Sequence, residues 1–191
     1  MTLTRQEREI RDSSSLEPRA AIPPMRICHV SPHLPPDQAA NALLPAQLGR
    51  WMAARGDAIS FVAHEAGQTR PDSTAGGTDL PVRWIPRRRS RSLRRLLKLD
   101  AWGVVRSVNR ALEDVASAAD LLHLHSNGLI IEAAAAWARR RRKPYILTLY
   151  GTEIWHYKRR RPIDPFTRAY FGASRIAFYS RGLLERAKVV G

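Results

Sequence analysis

The segment DLLHLHSNGLIIEAAAAWARRRRKPYILTLYGT, residues 120–152, gives the strongest indication of the fold class. Two apolar runs of strand length, 120–125 and 144–149, enclose an alanine-rich stretch over 127–142 that predicts a helix. The runs carry almost no charge, which is typical of strands that are buried on both faces of a parallel sheet. Strand, helix and strand in this order predict a parallel βαβ unit, since parallel neighbours need a crossover connection.

The same alternation extends through most of the chain. We therefore predict an α/β fold with one doubly wound, Rossmann-like parallel sheet over residues 25–191, after a disordered polar leader over residues 1–24. Asp37 is the predicted N-cap of the first helix, and Gly56 is expected just after its end. The other predicted strands are 26–30, 58–63, 82–85 and 175–179. The other predicted helices are 38–55, a helical region that ends near 118, 163–172 and a last helix that begins at Ser180.

The composition excludes several classes of protein. With Cys28 as the single cysteine, the chain forms no intrachain disulfide and no cysteine-rich zinc module. No apolar run approaches the roughly 20 residues that cross a bilayer, and the first residues lack the apolar core of a secretory signal. These features predict a cytoplasmic protein.

Ligands of doubly wound sheets bind at the carboxyl ends of the strands, so the loops at that edge hold the candidate site. The loop after the first strand lacks the G-x-G-x-x-G pattern, which argues against a simple NAD dehydrogenase. His125 ends the fourth strand and is the candidate functional histidine, with Asn127 just after it. His123 is interpreted as a core histidine. No acid or cysteine stands at ligand spacing, so we predict no metal site.

The fifth strand ends in Tyr150-Gly151-Thr152-Glu153, which fits a site that binds a polyol through hydrogen bonds. Gly151 would allow close approach, and the two residues after it would supply polar groups. The alternative is a simple turn in which Glu153 caps the next segment and Trp155 belongs to the core.

Five motifs in this order resemble the N-terminal half of a family-4 glycosyltransferase of GT-B fold. They are MRICHVSPHLPP at 25–36, LGRWMAARGDAISFVA at 48–63, DLLHLHSNGL at 120–129, KPYILTLYGTEIW at 143–155 and RIAFYSRGLLERA at 175–187. The resemblance covers about residues 25–191.

The resemblance implies an enzyme with two Rossmann-like domains, in which the first holds the acceptor and the second binds a UDP- or GDP-linked sugar. It implies transfer with retention at the anomeric carbon, without a metal or another cofactor. His125 matches the family's histidine at the reaction centre. Tyr150 stands where the family usually has histidine, and Asn41 lies where it has a glycine pair. The residues that we expect at the substrate are Asn41, Asn127, Tyr150, Gly151, Thr152 and Glu153.

The resemblance covers only the acceptor half of such an enzyme. We therefore expect the chain alone to be inactive, as a fragment, a truncated product or one subunit that pairs with a separate donor-domain subunit. The expected partners are a nucleotide-sugar donor and a glycan or lipid-linked acceptor.

The charge lies in the second half of the chain. Residues 1–85 contain nine arginines and nine acids, so the whole net charge of +15 comes from 86–191, mainly from clusters at 86–98, 139–143 and 158–161. The middle cluster ends a helix, where the helix dipole favours cations. The other two are expected at the carboxyl edge, where they would bind an anionic acceptor or the inner face of the membrane as a peripheral protein. The residues predicted for this role are Arg87, Arg88, Arg89, Arg91, Arg94, Arg95, Lys98, Trp102, Lys158, Arg159, Arg160 and Arg161.

Two other functions remain open at this point. A basic nucleic-acid-binding protein would fit the charge, but no helix-turn-helix, zinc or RNA-binding signature accompanies it, so we do not expect this partner. A non-catalytic Rossmann-like interaction domain would fit a chain without a donor half. Salt-sensitive binding to DNA or RNA would favour the first, and copurification with a donor-domain polypeptide would favour a split transferase.

Overall fold

The computed structural model describes residues 23–37, 39–65, 79–86, 99–155 and 164–190. These residues form a six-stranded sheet in which every neighbouring pair is parallel, in the order β3-β2-β1-β4-β5-β6. The strands are β1 (Arg26–Ser31), β2 (Ala58–His64), β3 (Val82–Ile85), β4 (Leu121–His125), β5 (Tyr145–Leu149) and β6 (Arg175–Phe178). The helices are α1 (Ala40–Ala54), α2 (Leu99–Ala116), α3 (Leu129–Arg140), α4 (Thr152–Trp155), α5 (Pro165–Gly172) and α6 (Arg181–Val190).

This strand order confirms the predicted doubly wound, Rossmann-like fold. The chain adds β2 and β3 on one side of β1, crosses back, and adds β4, β5 and β6 on the other side. The carboxyl ends of β1 and β4 therefore lie side by side in the middle of the sheet, where the winding changes direction. Ligands of such sheets bind at this point.

The two faces of the sheet have separate apolar cores. On one face α1 packs against β1 and β2, and Gly49 of α1 lies so close to Phe61 that a Cβ there would be 2.5 Å from Phe61 Cζ. On the other face lies the larger core, which includes Leu122 and Leu147 of the sheet together with residues of α2, α3, α5 and α6. The aliphatic residues of β1, β2 and β4 are thus covered on both faces, as their composition predicted.

The first helix begins differently from the prediction. Asp37 does not cap it: the N-cap position is Ala39, with no side-chain hydrogen bond, and the Asp37 carboxylate instead contacts His33 Nδ1 at 2.9 Å. Pro45 lies inside α1 and has no N–H for the carbonyl of Asn41 four residues earlier. The Ser31 hydroxyl donates to that carbonyl at 3.1 Å and so ties the start of α1 to the end of β1.

Other element ends agree with the sequence-based predictions to within a few residues. Gly56 follows α1 with a φ of 97°, as a glycine after a helix does. The Ser180 hydroxyl accepts a hydrogen bond from the Leu183 N–H at 3.2 Å and so caps α6. The short helix α4 was not predicted.

The basic residues at 139–143 have structural roles. Arg141 forms an ion pair with Glu113 of α2, and Arg140 donates to Asn109 Oδ1 at 3.0 Å. The Lys143 ammonium donates to the carbonyls of Ser117 and Ala119, at 2.7 Å each, just after the end of α2. This cluster therefore joins α3 to α2 at the amino edge of the sheet. In the described ranges, every helix is too short or too polar to cross a bilayer.

Candidate functional site

Three buried histidines occupy the face of the sheet that α1 partly covers. His29 of β1 lies opposite His123 of β4 in the parallel register, and His125 is two residues further along β4 on the same face. The exposed fractions of these residues are 0% for His29, 8% for His123 and 0% for His125. The rings are close together, with centroids 4.1 Å apart for His123 and His125 and 5.2 Å apart for His29 and His125.

Hydrogen bonds connect these rings to one another and to the fifth strand. His29 Nδ1 lies 2.9 Å from His125 Nε2, and His125 Nδ1 lies 2.9 Å from the Tyr150 hydroxyl. We call this series Tyr150–His125–His29 the histidine chain. His123 lies beside it and has its own partner, the Thr148 hydroxyl, at 2.7 Å from Nε2. His123 is thus a satisfied core histidine, as predicted.

Burial keeps the three imidazoles neutral. It lowers the pKa of His29 to about 3, with a smaller contribution from nearby His123, and it lowers the pKa of His123 to about 4. The pKa of His125 lies well below its usual range for the same reason, with additional repulsion from the other two rings. At neutral pH the three rings are therefore uncharged, and each can donate one hydrogen bond and accept one.

The three rings are the one group of potential metal ligands in the described residues, with a ligand atom of each within 4.8 Å of the others. Neutral imidazoles bind Zn²⁺ well, but two nitrogens on one tetrahedral zinc lie about 3.3 Å apart, given bonds of roughly 2.0–2.1 Å. The His29 and His125 nitrogens are 2.9 Å apart, the usual separation of a hydrogen bond. In this structure these two nitrogens thus form a hydrogen bond with each other.

The turns that follow β4 and β5 have unusual backbone conformations. Ser126 directly follows His125 with a φ of 72°, and Gly128 has a φ of 100°. Gly151 directly follows Tyr150 with a φ of 149°, which side chains other than glycine rarely adopt. The Ser126 N–H donates to the Thr148 carbonyl at 2.8 Å, so the turn after β4 is tied to strand β5. The two turns set the positions at which His125 and Tyr150 leave the sheet.

The structure brings some of the predicted site residues together and leaves others apart. His125, Tyr150 and Gly151 lie together, but His125 is fully buried and has Tyr150 on its outer side. Asn127 is exposed in the turn after β4. Asn41 lies in the first turn of α1, and its buried side-chain Oδ1 has no hydrogen-bond partner among the residues that the structure describes.

Several other predicted positions are not described. Thr152 and Glu153 are the first two residues of α4, and only their backbone is described. The basic residues at 87–98 and 158–161 lie outside the described residues. Trp102 is described: it is 65% exposed on α2, with the Arg106 guanidinium 5.8 Å from its ring centroid, opposite buried Val108 and Leu112.

Sequence reasoning missed His29. It treated β1 as an apolar strand and gave no role to this residue. The available signal was a polar residue inside a buried strand, together with the expected neighbourhood of β1 and β4 in a doubly wound sheet.

Two further aromatic residues, Tyr179 and Trp155, lie near Tyr150 and Gly151 at this edge. The ring centroids of Tyr150 and Tyr179 are 6.3 Å apart, and Tyr179 is 66% exposed. Trp155 is 54% exposed and lies against Gly151, where an added Cβ would be 3.6 Å from Trp155 Cδ1. The alternative prediction of a core position for Trp155 is therefore wrong. Chemically, the edge combines a neutral hydrogen-bonding series with exposed aromatic rings.

Comparisons with known proteins bear on the family and the fold. A family model described as "Glycosyl transferase 4-like domain" matches residues 45–190. No curated protein matches the chain.

Solved structures share the fold at low sequence identity. A putative UDP-N-acetylglucosamine 2-epimerase from Listeria monocytogenes matches with a TM-score of 0.60 and 12% identity, over 89% of this chain and 43% of that one. UGT89C1 from Arabidopsis thaliana, complexed with UDP, matches with a TM-score of 0.55 and 9% identity, over 86% of this chain and 46% of that one. The UDP-GlcNAc 2-epimerase from Neisseria meningitidis, bound to UDP-GlcNAc, has a TM-score of 0.50 and 11% identity, over 86% and 49% of the two chains. The chain thus spans less than half the length of each.

Proposed function

The chain belongs to the glycosyl transferase 4-like domain family, and we propose that it forms the acceptor side of a site that transfers a sugar from a nucleotide sugar with retention. The observation that carries this proposal is the position of the histidine chain. It lies at the carboxyl ends of β4 and β5, at the edge where doubly wound sheets bind ligands. The donor is a UDP- or GDP-linked hexose, and the reaction needs no metal or other cofactor.

The chemistry of the edge suits a neutral polyol. Sugar hydroxyls donate and accept hydrogen bonds, and the Tyr150 hydroxyl, which the neutral and fully buried His125 contacts from inside, does the same. Tyr179 and Trp155 provide apolar ring surface beside these groups. A buried site built for hydroxyl groups discriminates strongly against ligands that lack them, since its own polar atoms would then stay unpaired.

We propose that a second domain holds most of the donor and that transfer needs both. The relatives that bind UDP or UDP-GlcNAc are each more than twice as long as the stretch that this chain matches. In the test, the purified chain is incubated with labelled UDP- and GDP-sugars and with glycan and lipid-linked acceptors, either alone or with a donor domain of this family. Transfer of the label to the acceptor is measured. We expect transfer only in the second case, with the anomeric configuration retained in the product. Robust transfer by the chain alone, or an inverted product, would overturn this mechanism.

His125→Ala is the informative variant in that assay, with His123→Gln as its matched control. His123 is a buried histidine of the same strand, and its hydrogen-bond partner is the Thr148 hydroxyl rather than the histidine chain. We expect the first change to lower kcat by on the order of a hundredfold and the second to leave kcat nearly unchanged. Equal effects of the two changes would refute a role for His125.

We also propose a peripheral position on the cytoplasmic face of the membrane. Its support is the exposed Trp102 with the Arg106 guanidinium over its ring, on a helix whose opposite side is buried. Aromatic and basic side chains on one exposed helix face are typical of interfacial helices. Flotation with neutral vesicles and with vesicles containing anionic lipid tests this, and we expect binding only to the anionic ones.

The matched control in the flotation experiment is a second exposed tryptophan. Trp51 is 57% exposed on α1, also with an arginine, Arg55, over its ring. Trp102→Ala is expected to weaken vesicle binding several-fold, whereas Trp51→Ala is not. Binding that is indifferent to lipid charge, or equally sensitive to both changes, contradicts the proposal.

A further inference from the structure

His29 is a polar residue in a position that packing alone would give to an apolar one. It lies inside the buried strand β1, with its ring stacked on Phe61 at a centroid distance of 5.0 Å. Its exposed fraction is 0%, and burying an imidazole costs free energy unless its nitrogens find partners. The hydrogen bond from His29 Nδ1 to His125 is the contact that offsets this cost.

The second ring nitrogen of His29 shows which way that hydrogen bond runs. Among the described residues, His29 Nε2 is buried and has no hydrogen-bond partner. A neutral imidazole carries one proton, on either nitrogen. Buried N–H groups without a partner are rarer than buried acceptors without one, so the proton belongs on Nδ1. His29 then donates to His125 Nε2.

The direction of this bond determines the state of His125. Since His125 Nε2 accepts, the proton of its neutral ring lies on Nδ1, 2.9 Å from the Tyr150 oxygen. His125 therefore donates to Tyr150, and the Tyr150 O–H points to another partner. Hydrogen bonds in series polarise one another, which strengthens the Tyr150 hydroxyl as a donor.

We propose that His29 is a positioning residue that holds His125 in its Nδ1–H tautomer, with the ring oriented toward Tyr150 at the acceptor edge. The mechanistic part rests on the proposed function, because it assumes that the acceptor binds at this edge. His29 itself touches neither substrate.

Nitrogen NMR of the purified chain labelled with ¹⁵N-histidine tests the tautomer without any need for transfer activity. We expect His29 and His125 each to show a protonated Nδ1 and a bare Nε2 in long-range ¹H–¹⁵N spectra. A protonated Nε2 on His125 in the unmodified chain would overturn the proposal before any variant is made.

Two replacements of His29 separate positioning from packing. His29→Asn keeps an amide N–H near the place of Nδ1 and is expected to preserve the Nδ1–H tautomer of His125. His29→Phe removes the donor and is expected to abolish the preference of His125 for this tautomer. Thr148→Val is the matched control, because it removes the partner of His123 and leaves the histidine chain intact. An unchanged His125 spectrum in His29→Phe, or the same change in both His29 variants, would refute the role of His29.

Sugar transfer by the chain together with a donor domain, measured as in the assay above, then distinguishes this inference from the proposed function. His29→Phe is expected to lower kcat by on the order of tenfold to a hundredfold with little change in KM, and His29→Asn to restore most of the loss. A confirmed tautomer without sugar transfer under any condition would defeat the proposed function alone. Transfer that is insensitive to His29→Phe would defeat the positioning role alone.

Discussion

Acidification is expected to destabilise this protein well before its carboxylates titrate, because the three clustered histidines are buried as neutral rings. Burial lowers the pKa of His29 to about 3 and that of His123 to about 4, and it lowers the pKa of His125 strongly. In the unfolded chain each of them returns to a pKa near 6.5. Below that pH the unfolded state binds more protons than the folded state, so stability decreases as the pH decreases.

The size of the effect follows from proton linkage. Each extra proton bound by the unfolded chain changes the free energy of unfolding by about 1.4 kcal/mol per pH unit. Between about pH 7 and about pH 5.5 each histidine then contributes a loss of about 1 kcal/mol, and the three together about 3–4 kcal/mol. The loss continues down to the folded-state pKa values and then levels off. The free energy of unfolding of a typical domain is only about 5–15 kcal/mol, so this loss is a large part of it.

Urea unfolding at a series of pH values measures this loss. The unmodified chain is compared with His123→Gln, since glutamine retains a polar group near the Thr148 hydroxyl but does not titrate. We expect the variant to lose about one third less stability over the same interval, with equal pH dependence of the two proteins from about pH 7 to about pH 8. Contributions of all other groups are common to both proteins and cancel in the difference.

Two results would refute this reasoning. One is a free energy of unfolding that stays constant between about pH 7 and about pH 5.5, which would mean that the rings are charged or solvated in the folded state. The other is an identical slope for His123→Gln. The Asp120 carboxyl does not interfere: its bonds to Arg26 lower its pKa to about 2, so its contribution is lost only at lower pH.

Gly49→Ala is expected to lower the free energy of unfolding in urea by about 1–3 kcal/mol, because its Cβ would lie 2.5 Å from Phe61 Cζ. The matched helical control, Gly103→Ala, would meet nothing within 4 Å and is expected to be neutral or stabilising; equal losses would contradict this account. The Cys28 thiol, whose pKa burial raises to about 12, is expected to resist disulfide reagents at about pH 8 until the chain unfolds in urea, and rapid labelling of the folded chain would show that it is accessible. Ser180→Ala is expected to cost about 1 kcal/mol in thermal unfolding through loss of the α6 cap, whereas Ser180→Asp retains most of it.

Much of the fold could be predicted because each strand is marked locally. The apolar runs at 120–125 and 144–149 correspond to β4 and β5, and Gly56 and Ser180 mark helix ends through their own chemistry. Local signals also misled in places. Asp37 is a good capping residue, but its carboxylate contacts His33, and α1 begins at Ala40.

The connection between β1 and α1 shows why local signals are insufficient. Pro45 leaves a carbonyl of α1 without its intrahelical partner, and a hydroxyl from β1 fills the position. Nothing in the sequence near Pro45 indicates that Ser31 is the donor. That pairing depends on the helix folding back over its own strand.

The alternation of strands and helices, the Rossmann-like class and the placement of His125 at the end of a strand could be predicted, since these depend on the order of apolar and polar residues along the chain. In contrast, His29 lies 96 residues from His125 in the sequence, and the 2.9 Å contact between them arises from the packing of the sheet. The doubly wound class implies that β1 lies beside β4, but the register that sets His29 opposite His123 and the orientation of its ring toward His125 depend on tertiary packing. The neutrality of the site likewise comes from burial, which is a property of the packed sheet and not of any single residue.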